Sequence, residues 1–158
     1  MNIEELKQDS IVGNLEDYQL EKIVPLLTRI NYTKGDQITK KGDTADLFFM
    51  VTSGKVLLEQ RISKDMTHTV ATVTSGHSFG WASIFNEGNY LSEAFGAEEG
   101  VIYSVKGEEL RKLLEDDHSM GYQVMRNILT HLNNRLSRRT EQFVNAIKTH
   151  PDFSSLGL

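Results

Sequence analysis

Between Thr28 and Lys106 the chain is cut into short alternating pieces by glycine. RINYTKGDQITKKGD, residues 29–43, is interrupted at Gly35 and Gly42. LFFMVTSG, residues 47–54, is an apolar run ending in a turn signal, and GKVLLEQRIS follows directly. That junction predicts a hairpin at Ser53-Gly54. MTHTVATVTSG, residues 66–76, sets Val70 and Val73 among threonines, and YLSEAFGA and GVIYSVKG supply two further runs. Many short strands separated by glycine turns predict a mainly β sandwich, barrel or jelly roll.

Helical patterns flank this region. Residues 2–9 predict a short helix. LEDYQLEKIVPLL, residues 15–27, spaces Leu15, Tyr18, Ile23 and Leu26 helically, with Asn14 as N-cap. Pro25 is expected to end or kink that helix. From Gly107 the period is helical again, first in GEELRKLLE. Asp116-Asp117 then offers a break and a new cap. From about His118 to Lys148, Met125, Leu129, Leu132, Leu136, Phe143 and Ile147 recur in steps of three and four, with Arg139 or Thr140 at the gap. That is a coiled-coil-like stripe, and Pro151 is expected to stop it. The reading is one domain over 1–158: N-terminal helices in 1–27, a β-roll in 28–106, and C-terminal helices in 107–149.

A chain of 158 residues with 39% apolar content can bury a core without staples. It contains no cysteine, which excludes disulfides, thiolate metal sites and cysteine nucleophiles. MNIEELKQDS lacks the basic and apolar regions of a signal peptide, and no apolar run reaches the length of a membrane span. The expected address is the cytoplasm, with no membrane partner. The net charge of −5 argues against nucleic acid as a partner, because phosphate contacts need a basic face. RLSRRT, residues 135–140, is a local exception.

The sequence points away from catalysis. His68, His77, His118, His131 and His150 form no His-x-His pair, so a metal site on the strands is not expected. There is no G-x-S-x-G elbow and no P-loop. Asp116-Asp117 and Glu98-Glu99 read as caps and turns.

KGDQITKKGDTADLFFMVTSGKV, residues 34–56, carries an early Gly, then Gly-Asp, an apolar strand and another Gly. Together with the helices in front and the long helix behind, this resembles the cyclic-nucleotide-binding domain of CRP/FNR-type regulators. The resemblance covers about Leu15 to Ile147. It implies a β-roll (a double-stranded β-helix, or jelly roll) with N-terminal helices and a long C-terminal helix. It implies cAMP or cGMP as ligand and a homodimer through the C-terminal helix. CRP/FNR regulators carry a helix-turn-helix domain after this helix. Eight residues follow His150, so the reading is a stand-alone module, and direct DNA binding is not expected.

In the family, HSFGWASIFNEGNYLSEAFGA, residues 77–97, falls on the phosphate-binding cassette, here at 79–92. The family pattern is Phe/Ile-Gly-Glu-Leu-Ala-Leu, a short turn, then Arg-Ser/Thr-Ala. Phe79, Gly80, Trp81, Ala82, Ser83 and Ile84 match the first part. Trp81 takes the place of the Glu that holds the ribose. Leu91 takes the place of the Arg that pairs with the phosphate, followed by Ser92 and Glu93. Some single-domain bacterial members also carry Gly-Trp at this point.

The stretch contains neither Lys nor Arg. The missing charge-assisted bond is worth roughly 1.5–3 kcal/mol. Affinity for a cyclic monophosphate is expected to fall about ten- to a hundredfold or more. Two replacements are weighed. Trp81 stacks on an aromatic base, or it packs into the core or an interface. Arg138, Arg139 and Thr140 of the long helix match the place from which the family reaches over the ligand, or they form a solvated helix face.

Three readings follow. One is a ligand-sensing or signalling module with a degenerate cassette, dimeric and without enzymatic activity. Another is an adaptor for a protein partner that retains only the fold. A third is a changed small-molecule ligand, since a mouth fronted by Trp81, Tyr90 and Leu91 suits an apolar or aromatic molecule.

Overall fold

A computed structural model of the chain describes residues 1–64, 66–85 and 88–149. The glycine-punctuated region forms strands β1 (Thr28–Tyr32), β2 (Gln37–Thr39), β3 (Leu47–Ser53), β4 (Lys55–Arg61), β5 (Thr67–Thr74), β6 (His77–Phe79), β7 (Glu93–Gly96) and β8 (Gly100–Lys106). Helices α1 (Ile3–Leu6) and α2 (Asp17–Ile23) precede them, and α3 (Gly107–Asp116) and α4 (His118–Thr149) follow. The strands make two antiparallel four-stranded sheets, in the orders β1-β8-β3-β6 and β2-β7-β4-β5. This is a mainly β jelly roll with helices before and after it, as expected from the sequence. The chain divides into two compact units, Met1–Val124 and Met125–Leu158, and α4 runs through the boundary.

The apolar run Phe48–Val51 is buried throughout because β3 lies between β8 and β6 and is covered on both faces. The threonine-rich β5 is an edge strand whose Thr67, Thr69, Thr72 and Thr74 are exposed. Between the sheets, Phe49 and Phe79 stack with centroids 4.8 Å apart, beside Val56, Val73, Ala94 and Ile102. Burying each such phenyl ring contributes about 1.5–3 kcal/mol.

The predicted hairpin at Ser53-Gly54 is not a hairpin. β3 and β4 lie in different sheets, and the chain turns a corner between them. Gly54 makes the corner at φ +80°, where a β-carbon would sit 2.6 Å from the Glu99 carbonyl oxygen. A positive-φ glycine serves a corner as well as a hairpin, so local sequence does not separate the two.

The front helices are shorter than expected. The helix expected in residues 2–9 spans Ile3–Leu6. Asn14 does not cap the second helix; Glu16 does, in a reciprocal arrangement with Gln19. Pro25 lies in a 3-10 turn, Val24–Leu26, that closes the helix. Asp9, between the two helices, is buried. Its carboxyl accepts from Ile11 N at 2.8 Å and Val12 N at 3.1 Å, and from the hydroxyl of Ser78 on β6. Burial pushes the Asp9 pKa up against the pull of these bonds and of His77.

Asp117 caps α4, accepting from Met120 N at 3.1 Å. It also accepts from Ser119 Oγ at 2.8 Å and, on α2, from Gln19 Nε2 at 3.1 Å and Tyr18 Oη at 3.2 Å. These bonds, led by that of Met120, hold its carboxyl well below the usual carboxylate range. The stop expected at Pro151 lies outside the described residues. Among the described residues no helix is long and apolar enough to cross a membrane.

Candidate functional site

The segment that the sequence aligns with the cassette begins where β6 ends. Phe79 is buried, and Gly80 takes the chain away from β3 at φ +81°. A β-carbon on Gly80 would lie 2.6 Å from the Leu47 carbonyl oxygen, so glycine is required both for φ and for space. Trp81–Phe85 then forms a 3-10 turn. Ser83 closes it, donating from Oγ to the Gly80 carbonyl at 2.8 Å and from N at 3.1 Å. Ser83 and Ile84 are buried, Trp81 and Ala82 are partly buried, and Phe85 is exposed.

Beyond the turn, the chain runs antiparallel to the loop joining β2 and β3. Ala45 N donates to Gly88 O at 3.3 Å, Tyr90 N to Asp43 O at 2.9 Å, and Gly42 N to Tyr90 O at 2.9 Å. Leu91 follows, 76% exposed, with its carbonyl accepting from Gln60 Nε2 at 3.0 Å. Ser92 and Glu93 are partly buried, and Glu93 opens β7 opposite Glu59 of β4. The Leu91 side chain is therefore apolar and faces solvent.

Phe79, Gly80, Trp81, Ala82 and Ser83 thus lie at the end of β6 and in the turn after it, and Leu91 and Ser92 lead into β7. The remaining candidates belong to the second unit. On α4, Arg138 is exposed, Arg139 is partly buried, and Thr140 Oγ1 donates to the Leu136 carbonyl at 3.0 Å. Of the predicted stripe, Leu129, Leu132, Leu136 and Phe143 are exposed, and Met125 and Ile147 are partly buried. Val144 is exposed beside them and was not among the expected positions.

Two features of the loop escape a motif-based reading. Tyr90 reaches β3 with its hydroxyl, 3.1 Å from both the amide and the carbonyl of Leu47. Its inward direction does not follow from strand alternation, because Leu91 and Ser92 form a bend ahead of β7. The other feature is the abutment of Ser83 on Gly107, which joins residues far apart in sequence. Among the described residues no cluster of His, Asp or Glu could hold a metal ion.

Comparisons with known proteins agree with this architecture. A family model for the cyclic nucleotide-binding domain matches residues 29–117. The chain is 26% identical over 116 residues to the cGMP-dependent protein kinase egl-4 of Caenorhabditis briggsae, covering 70% of this chain and 15% of the kinase. It is 30% identical over 83 residues to human cGMP-dependent protein kinase 2, covering 52% of this chain and 11% of that one. It therefore spans only a small part of these relatives. Among solved structures, a protein described as cyclic nucleotide-binding from Geobacter metallireducens GS-15 superposes with a TM-score of 0.74 at 25% identity, covering 86% of this chain and 98% of that one. A cyclic nucleotide-binding domain from Methylobacillus flagellatus KT superposes with a TM-score of 0.79 at 16% identity, covering 94% and 86%. With the family model matching residues 29–117 and the two-sheet jelly roll shared with these structures, this chain belongs to the cyclic nucleotide-binding domain family.

Proposed function

We propose that the chain is a dimeric ligand-sensing or signalling module that acts by change of shape rather than by chemistry, and whose cassette has lost its anchor for a cyclic monophosphate. The observation that carries this reading is Leu91. It stands where the family has its phosphate-binding arginine and is 76% exposed. No Lys or Arg occurs elsewhere in residues 77–97 to replace that charge. The sensing half of the proposal draws on the family membership and on relatives named for cGMP and cAMP dependence.

A route for the output is supported by the packing of the first unit. The turn Trp81–Phe85 bears on Gly107 at the start of α3. The helix α3 leads to Asp117, which caps α4 and is bonded to α2. A ligand that displaces the turn moves α3 and, through this junction, the beginning of α4. The dimer is supported by the second unit, where Leu129, Leu132, Leu136 and Phe143 recur at heptad spacing and are exposed.

Exposed Leu91 also favours a second reading, an adaptor for a protein partner that retains the fold without the nucleotide. Both readings make the same first prediction. Calorimetric titration of the wild-type chain with cAMP, cGMP and cyclic dinucleotides is expected to show no binding. Micromolar binding of any of them would overturn the loss of the anchor.

A further inference from the structure

Leu47 begins β3 at a point where one neighbouring strand has run out. β6 pairs with β3 through His77, Ser78 and Phe79, the last opposite Phe49, and the chain then departs at Gly80. Both backbone polar groups of Leu47 are taken by a single hydroxyl. The Leu47 amide donates to Tyr90 Oη at 3.1 Å, and the Tyr90 hydroxyl donates to the Leu47 carbonyl at 3.1 Å. The Tyr90 ring packs against the core that contains Phe49 and Phe79, 6.5 Å from the Phe49 centroid. Its backbone is held at N by Asp43 and at O by Gly42. Tyr90 is thus pinned at both ends, and its ring reaches from the segment before β7 to β3.

We propose that Tyr90 shuts the cassette to a cyclic monophosphate by filling, from within the protein, the space between the turn Trp81–Phe85 and the start of β3. This rests on the reading of the cassette as one without its anchor, and it adds a second element. Leu91 accounts for a missing attraction, whereas Tyr90 is an obstacle. An anion entering there displaces an aromatic ring from the core and strips the Leu47 amide and carbonyl of their partner, which leaves part-buried polar groups unmade. Restoring a cation at position 91 does not remove that cost.

The test is calorimetric titration with cAMP and cGMP of Leu91→Arg, Tyr90→Ala and the double variant. Neither single variant is expected to bind measurably, and the double variant is expected to bind at least about tenfold more tightly than Leu91→Arg. Equal binding by Leu91→Arg and the double variant would overturn the role of Tyr90. So would a folded double variant that binds no better than the wild type. Wild-type binding would overturn the parent reading as well, which separates the two failures. If Tyr90→Ala does not fold by circular dichroism, Tyr90→Phe keeps the ring and removes the clasp. Amide exchange at Leu47 is then expected to quicken, and Tyr90→Phe with Leu91→Arg to bind more tightly than Leu91→Arg alone. Unchanged exchange, or binding by Tyr90→Phe with Leu91→Arg equal to that of a folded Tyr90→Gly with Leu91→Arg, would sink the proposal.

Discussion

The carbonyl oxygen of Ser83 occupies the place where a β-carbon on Gly107 would stand, so the cassette turn rests directly on the first residue of α3. Gly107 has an ordinary φ, and the requirement is for space rather than for conformation. Its amide is also held, donating to the Asp46 carbonyl at 2.8 Å. Gly107→Ala therefore has to push the turn away from the helix. The expected loss is about 1–3 kcal/mol, as for other insertions into a packed site. Glu108→Ala, at the exposed neighbour, is expected to stay within about 0.5 kcal/mol. Urea denaturation of the two variants checks this, and equal midpoints would contradict the contact.

Asp9 gives a pH signature. Its pKa is raised in the folded chain, chiefly by burial, so the folded state favours the protonated carboxyl. The stability it contributes is full below the unfolded value of about 3.9 and is lost as pH rises through the higher folded value. Asp9→Asn keeps the acceptor for Ile11 and Val12 and does not ionise. The variant is expected to gain on the wild type as pH rises above about 4, read as the difference in denaturation midpoints. A difference that stays constant with pH would count against the buried carboxyl.

Asp117 has the opposite sign. Its folded pKa is depressed by the bonds from Met120, Gln19 and Ser119, so its contribution is present above the unfolded value and is lost only as pH falls through the folded one. Asp117→Ala is expected to lower the melting temperature at neutral pH and to speed amide exchange at Met120. The deficit is expected to persist at about pH 4, where an ordinary aspartate is half protonated. A deficit that has already halved there would contradict the assignment.

The exposed leucines of α4 set the expectation for assembly. Leu136 is 66% exposed and Leu129 is 67% exposed. Sedimentation of the wild type is expected to report a dimer, and Leu136→Asp a monomer with unchanged helix content by circular dichroism. A wild type that remains monomeric at high concentration would remove the dimer from the proposed function.

The strands were legible because their signals are local. An apolar run marks β3, alternation and glycine turns mark β5 and β8, and the change of period at Gly107 marks α3. The corner at Ser53-Gly54 was misread because pairing is not local: β3 finds β8 and β6, while β4 finds β7 and β5. The start of α2 was misread because Glu16 and Gln19 cap each other, a reciprocal bond that competes with the simpler choice of Asn14.

The cassette divides in the same way. The amino-acid order determined that the loop has a glycine frame and no cation, because residue identity alone settles charge. It also determined that a leucine follows Tyr90. Only the tertiary structure decided that Leu91 faces solvent while Tyr90 turns inward to Leu47. That choice depends on which backbone groups β6 leaves unpaired when it ends at Phe79, and on a partner 43 residues away along the chain. Side-chain direction at such a site follows from hydrogen bonds between distant segments, and these exist only once the two sheets have closed on each other.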